Sequence, residues 1–340
     1  MMKQLQTSAN EEKIPSKIRT SLGSAILLNL VEGVMDVAPT TIYLLTYHAG
    51  KCVANCSFCS QARSSTSRAE MLSRVTWPVF PSTEVINRIK NLERGLIKRI
   101  CIQTMNYPTM LKEVIEFVRK IHAETNIPIS VSSQPLTSQQ IRKLKEVGID
   151  RISIPLDAPT EKLFEEVKGL AVGGPYVWKR HVAALKKAVR MLGRGRVSTH
   201  LIVGLGENDE ELLRMVQQMV DLEVYPALFA FTPVQGTRLE RRTQPWIERY
   251  RRIQLAHYLI TTGKVRLEDI IFDNKGYLEG FHVTHDLLEE AIKAGTPFMT
   301  SGCPSCNRPF YNERPGGPLY NYPRPLSEKE KDEIETLLLG

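Results

Sequence analysis

Six cysteines punctuate this chain, and five of them sit in tight groups. Cys52, Cys56 and Cys59 follow one another at C-x3-C-x2-C spacing, close enough for one loop to present three thiolates to a single inorganic group. Three thiolates on a short loop wrap three corners of a 4Fe-4S cube and leave the fourth iron without a protein ligand, so that iron is a binding site. Structural zinc is the competing chemistry, with His48 as fourth ligand in His48-x3-Cys52-x3-Cys56-x2-Cys59. Phe58, between the second and third cysteines, does nothing for zinc. The remaining thiols are Cys101 and the pair in Cys303-Pro304-Ser305-Cys306. A solitary cysteine is ordinarily a small buried hydrophobe, and C-x2-C is ordinarily half a zinc knuckle or a dithiol redox pair. Grouped as they are, the six fit metal or redox chemistry in a reducing compartment better than a disulfide scaffold.

Apolar, β-rich runs alternate with stretches of helical period through most of the chain. The pattern predicts strands over 41–47, 97–103, 127–132, 151–155, 197–203 and 227–232, and helices over 82–94, 109–124, 137–147, 176–192 and 209–222. Ser82 or Thr83 opens the first helix, and Thr137 opens the third with Gln140 at the matching capping-box position. This repetition predicts an α/β fold, a complete or partial TIM-type (βα) barrel over 39–302. Residues 1–38 read as an N-terminal helical extension, and 303–340 as an irregular Pro/Gly-rich lid followed by a helix over 327–339. Sites of such folds lie at the C-terminal strand ends, where the Cys52–Cys59 loop falls. Strand ends distant in sequence converge in a barrel. Cys101, on the second strand, and Cys303 and Cys306, just after an expected last strand over 297–300, are therefore candidates for a second cluster facing the first.

Composition narrows the class. With 42% hydrophobic and 24% charged residues over 340 positions, the chain reads as an ordinary globular protein. The best apolar stretch, 25–37, is broken by Asn29, Glu32 and Asp36, so no membrane span is expected. The polar start, 1–17, lacks the pattern of a secretory signal, and the expected location is the cytoplasm. A formal charge of +8 favours acidic partners. An RNA-binding reading finds no recognisable module and no basic run interleaved with exposed aromatics. His181, His200, His257, His282 and His285 show no metal-like spacing. A zinc-stabilised binding protein without enzymatic activity is the remaining competitor, distinguished by zinc without labile sulfide.

The cysteine triplet, with its aromatic residue before the third cysteine and its place after the first strand, resembles the signature of the radical S-adenosylmethionine (SAM) superfamily. Cys59-Ser60-Gln61-Ala62-Arg63, Arg99-Ile100-Cys101-Ile102-Gln103, Gly148-Ile149-Asp150 leading to Leu156-Asp157, and Ile202-Val203-Gly204-Leu205-Gly206-Glu207 are similar to the biotin synthase-like branch from about Thr41 to Leu239. The resemblance implies that the open iron chelates SAM and that an electron from the cluster cleaves it to a 5′-deoxyadenosyl radical. It also implies adenine contact at the Phe58 backbone and a methionine-facing segment from Gln103 to Asn106. Asp157 is expected near the ribose or substrate, with Ile202 and Glu207 flanking the nucleoside. Read on their own, Phe58 and Ile202 are core residues, Asp157 and Glu207 are helix-end charges, and the glycines form a plain turn.

Biotin synthase holds its auxiliary 2Fe-2S cluster with three barrel cysteines and an arginine. Here Cys101 matches the first, while Ser130 and Ser198 stand at the other two. Cys303 and Cys306, with the 307–313 segment after them, are instead similar to the two-component lipoyl synthases. That similarity implies a second, auxiliary 4Fe-4S cluster on Cys101, Cys303 and Cys306 as sulfur donor, with Ser130, Ser198, Ser301 and Ser305 as candidate hydroxyl ligands. It implies a substrate of octanoyl or mercaptooctanoyl chain on a lipoyl-carrier protein, a second radical SAM subunit and an external electron donor. No general base removes a proton from an alkane, so an unactivated C–H calls for radical chemistry. Arg238, Arg241, Arg242, Arg249, Arg251 and Arg252 around Trp246 form a basic stretch for docking the carrier, or else a solvated basic helix. The alternative within the same chemistry is biotin synthase, or another member of that branch acting on a free small molecule.

Overall fold

The computed structural model describes residues 14–93, 95–314 and 316–339. Six parallel strands form the body of one sheet: β2 (Thr41–Thr46), β4 (Arg99–Gln103), β5 (Ile129–Ser132), β6 (Ile149–Ser153), β7 (Val197–Val203) and β8 (Tyr225–Ala230). Helices Ser82–Lys90, Met110–Glu124, Ser138–Glu146, Trp178–Leu192 and Asp209–Asp221 fall between or beside them and turn apolar faces inward, as their helical period requires. Thr137 and Gln140 form the expected capping box, and Asn208 and Glu211 form another. The first of these helices begins at Ser82 after Pro81, with no side-chain cap, and ends at Lys90, short of the expected Arg94, which lies outside the described residues. The sheet runs β8-β7-β6-β5-β4-β2, continues through β1 (Lys17–Thr20) to β3 (Val79–Pro81) and is open, so the barrel is partial.

Two expectations are corrected. Within the supposed helical extension, of which 1–13 lies outside the described residues, β1 (Lys17–Thr20) is a strand pairing antiparallel with β2 and with β3 (Val79–Pro81). Ile18 and Thr20 are buried, and Arg19 reaches across to the Trp77 carbonyl at 3.0 Å. The only helix before β2 among the described residues is Leu22–Leu27. The expected strand at 297–300 is instead a 3-10 turn, Thr296–Phe298, because Gly295 adopts φ +71° and Pro297 follows it inside the turn. After this turn the chain crosses the open sheet from β8 to β2. Leu228 N–H donates to Ser301 Oγ at 2.8 Å on one side, and Thr40 N–H donates to Asn307 Oδ1 at 3.0 Å on the other. The segment expected as a lid thus plugs the barrel interior before the final helix, Glu328–Leu339. No helix among the described residues is long and apolar enough to cross a membrane.

Candidate active site: two cysteine triads across one chamber

The Cys52–Cys59 loop leaves the C-terminal end of β2 and is braced from inside. Buried Asn55 donates to the Val172 carbonyl at 2.6 Å and accepts from the Ser64 amide and hydroxyl, while Gln61 donates to the carbonyls of Ala69 and Met71. Val53 N–H bonds the Asn106 carbonyl at 2.9 Å, and Asn106 N–H donates to Cys52 Sγ at 3.2 Å. The segment from Gln103 to Asn106, expected to face the methionine of SAM, thus reaches the first cysteine through Asn106. Burial raises the thiol pKa of Cys52 and Cys56 and pushes Cys59 up to about 12. Thiols so disfavoured as bare thiolates are suited to ionising against iron, whose charge compensates their burial. Among the described residues no three His, Cys, Asp or Glu side chains close tightly enough on a point to hold a single metal ion. His48 stacks on Tyr107 with ring centroids 4.8 Å apart.

Facing this loop, the expected Asp157 is paired with a residue that the sequence did not point to. Lys168, fully buried, donates to Asp157 Oδ2 at 2.6 Å and to the Pro155 carbonyl at 2.5 Å, with its ammonium over the rings of Tyr176 and Phe164. Its positive charge lowers the thiol pKa of Cys56, against the larger effect of burial. Asp157 adopts φ +68°, a conformation that costs a non-glycine residue energy and concentrates at functional sites. Asp157, Phe58, Cys59, Ile202, His200, Phe229 and Tyr311 line an interior chamber of about 120 Å³. Thr104 Oγ1 and Ser133 Oγ, at the ends of the adjacent strands β4 and β5, are buried without protein partners, as a site for a polar ligand requires. Glu207, expected to flank the nucleoside, sits in the glycine turn that follows β7. Its carboxylate accepts the N–H groups of Gly204, Leu205 and Gly206 at 2.7, 2.9 and 3.1 Å and pairs with Arg249 at 3.1 Å. It therefore organises the turn in which Gly204 and Gly206 take φ +105° and +131°.

The second triad assembles deeper in the barrel. Tyr43, Cys101 and Ser130 stand opposite one another on β2, β4 and β5. The plugging segment brings Cys306 Sγ to 3.3 Å from the Tyr43 hydroxyl and Cys303 Sγ to 3.7 Å from the Ser130 hydroxyl. Burial raises the pKa of Cys101 and Cys306, and the negative charge of Cys303 adds to both. The Arg308 guanidinium lowers them in part. It stacks 3.8 Å from the Phe229 ring centroid and donates to the Ser301 carbonyl at 2.6 Å. Of the expected hydroxyl ligands, Ser130 faces a cysteine of this set, Ser301 is spent on Leu228, and Ser305 is exposed. Tyr311 stands between the triads, its ionisation opposed first by burial and then by Cys59 and Cys101.

Residues 46–219, just over half of the chain, match the family model of the radical SAM superfamily, and the chain belongs to that superfamily. The family implies a 4Fe-4S cluster and SAM, and Cys52, Cys56 and Cys59 are the residues here that fit its cluster. The chain is 29% identical over 208 residues to a biotin synthase of Picosynechococcus, covering 58% of this chain and 53% of that protein. It is 25% identical over 266 residues to a biotin synthase of Aquifex aeolicus, covering 76% of this chain and 75% of that one. The match thus spans about half the length of the first of these relatives. Among solved structures, a methylornithine synthase shares the fold at a TM-score of 0.50 and 16% identity, over 65% of this chain and 62% of that one.

Proposed function

We propose that this radical SAM enzyme inserts sulfur into an unactivated C–H of an octanoyl or mercaptooctanoyl chain borne by a lipoyl-carrier protein. In this reading it is one component of a two-protein lipoyl synthase. The observation that carries the proposal is the meeting of Cys101, Cys303 and Cys306 behind the chamber edged by Cys59. Three cysteines leave one corner of a second 4Fe-4S cluster weakly held, which suits a cluster that surrenders sulfide. When bound, the first cluster and SAM supply hydrogen-atom abstraction, and the chain's own residues position and shield the reaction. Asp157, held by Lys168, and Ile202, at the end of β7, shape the chamber. Phe229 and Tyr311 wall it against water. A largely apolar cleft of about 360 Å³ runs between helix Leu22–Leu27, residues 74–77 and residues 308–311 to Tyr43 and Tyr311, and an acyl arm is the substrate class it suits. A second reading, sulfur insertion into a free small molecule, is favoured by the likeness to biotin synthases.

Iron and labile sulfide per chain after anaerobic reconstitution test the proposal. We expect about eight irons, falling to about four in C52A/C56A/C59A, as two cubane clusters require. About four falling to none would leave a single-cluster enzyme and remove the sulfur donor. 5′-Deoxyadenosine release stimulated by an octanoylated carrier domain, against a free acid, separates the two readings of the substrate.

A further inference from the structure

The 235–252 segment presents a basic surface that neither cysteine triad uses. Two of its six arginines turn inward, which corrects the expected docking set. Arg249 pairs with Asp209 at 2.7 Å as well as with Glu207, and buried Arg251 donates to the carbonyls of Leu319 and Tyr320. Arg252 pairs with Glu248. Arg238, Arg241 and Arg242 are exposed and have no carboxylate partner among the described residues, while Glu240 between them is bound to the Gly236 N–H at 2.7 Å. Trp246, 82% exposed, stands with Arg242 at a cleft of about 670 Å³ that Arg249 and Arg252 also wall, a few residues along the chain from Arg238 and Arg241. An exposed Trp in an arginine-rich segment is the composition of a protein-binding hot spot, whereas a purely solvated basic face has no need of the Trp.

The position of this surface selects its partner. Leu239 N–H donates to the carbonyl of Ser57, the residue after Cys56, at 3.2 Å. The Gly236 carbonyl accepts from Thr66 N–H at 2.9 Å and from the Ser65 hydroxyl at 3.0 Å. The segment is thus fastened to the loop that carries the first triad. The acyl-sized cleft opens elsewhere, beside helix Leu22–Leu27. Radical SAM chemistry consumes an electron that must come from outside the chain. We infer that the patch around Arg238, Arg241 and Trp246 docks a small acidic one-electron carrier protein. One electron passes from the carrier's reduced centre to the cluster held by Cys52, Cys56 and Cys59, leaving the carrier oxidised by one electron, with no bond or proton exchanged. This inference rests on the superfamily alone and is independent of what becomes of the sulfur.

The test uses the reconstituted full-length protein and a fluorescently labelled acidic 2Fe-2S ferredoxin as probe, with association followed by anisotropy. We expect binding to weaken steeply with salt, and R238E/R241E to weaken it roughly tenfold, as loss of electrostatic steering and complementarity would. R238K/R241K keeps the charge and the binding. R194E, beside the N-terminal end of β7, is without effect. Dithionite, too small to need a dock, reduces the cluster of R238E/R241E at the wild-type rate. Unchanged ferredoxin binding in R238E/R241E overturns the inference. So does loss of octanoylated carrier-domain binding with ferredoxin binding intact, which would give the patch to the substrate carrier.

Discussion

The hydroxyl of Tyr43 lies 3.3 Å from the sulfur of Cys306, a residue 263 positions further along the chain. That hydroxyl already accepts the Arg308 N–H at 2.8 Å, and toward a Cys306 thiolate, which has no proton, it is the donor. Ser130 repeats the device, accepting from the Arg99 guanidinium at 2.8 Å and facing Cys303 at 3.7 Å. Arg99 is itself anchored to Asp150 at 2.7 Å. Two of the three inner cysteines thus each meet a hydroxyl that is hydrogen-bonded from behind, while Cys101 lies in the row between those hydroxyls.

Tyr43→Phe removes one such donor without altering the ring. Hydrogen bonds to cluster sulfurs favour the more negative, reduced state. The midpoint potential of the proposed second cluster is expected to fall by some tens of millivolts, with Ser130→Ala giving a smaller fall across its longer contact. Potentiometric titration followed by electron paramagnetic resonance in the C52A/C56A/C59A background reads this cluster without the first. An unshifted potential would reduce Tyr43 to a packing role.

Lys168→Met strands the carboxylate of Asp157 in a site 7% exposed. Breaking one side of a buried ion pair costs about 3–5 kcal/mol, because the remaining charge keeps its desolvation penalty and loses its partner. Urea denaturation of the cluster-free chain is expected to show a loss of that order. Lys168→Met/Asp157→Asn should recover much of it, and a strictly additive double variant would argue against direct coupling.

The first triad was legible because its three cysteines are contiguous in sequence and its loop follows an evident strand. Cys101, Cys303 and Cys306 were legible as a set through the rule that strand ends converge, although the element expected to carry the last two dissolved into the turn around Gly295 and Pro297. Lys168, Tyr43 and Arg308 were not legible. Each is a single residue in a stretch with no chemical periodicity, and strand register alone decides that Tyr43 stands opposite Cys101. The first strand escaped because four residues, Lys17–Thr20, carry too short a pattern to outweigh the helical period of the 22–37 stretch. Glu207 was noticed for its charge, yet its partners are backbone amides, which a sequence does not display.

Glu207→Gln tests that placement. The amide retains one acceptor oxygen where three N–H groups and Arg249 converge, and it sets an NH2 against donors. Loss of about 2 kcal/mol of stability is expected, within the range for unsatisfied buried groups. Iron content should be unchanged, and SAM affinity, measured by equilibrium dialysis, should weaken severalfold because the turn loosens. Unchanged affinity with lowered stability would separate the turn from the nucleoside altogether.

Acid stability follows from three histidines kept neutral by burial. The pKa values of His181 and His200 are lowered to about 3 and that of His257 to about 4, in each case chiefly by desolvation. In the unfolded chain each takes up a proton near pH 6.5. Between that value and pH 4 the unfolded state therefore binds more protons than the folded one, and stability falls as pH falls. Each histidine contributes at most about 1.4 kcal/mol per pH unit, so the three together approach about 4 kcal/mol per unit well below pH 6.5. Glu313, whose pKa burial raises, works in the opposite direction as it takes up a proton in the fold before it would in the unfolded chain. Urea midpoints of the cluster-free chain are expected to drop markedly from pH 7 to pH 5. His257→Gln keeps a donor in reach of the Pro226 carbonyl, which the imidazole meets at 2.6 Å, and removes one titration. It should flatten the slope by about a third of the histidine contribution, and an unaltered slope would mean that His257 is already charged in the fold.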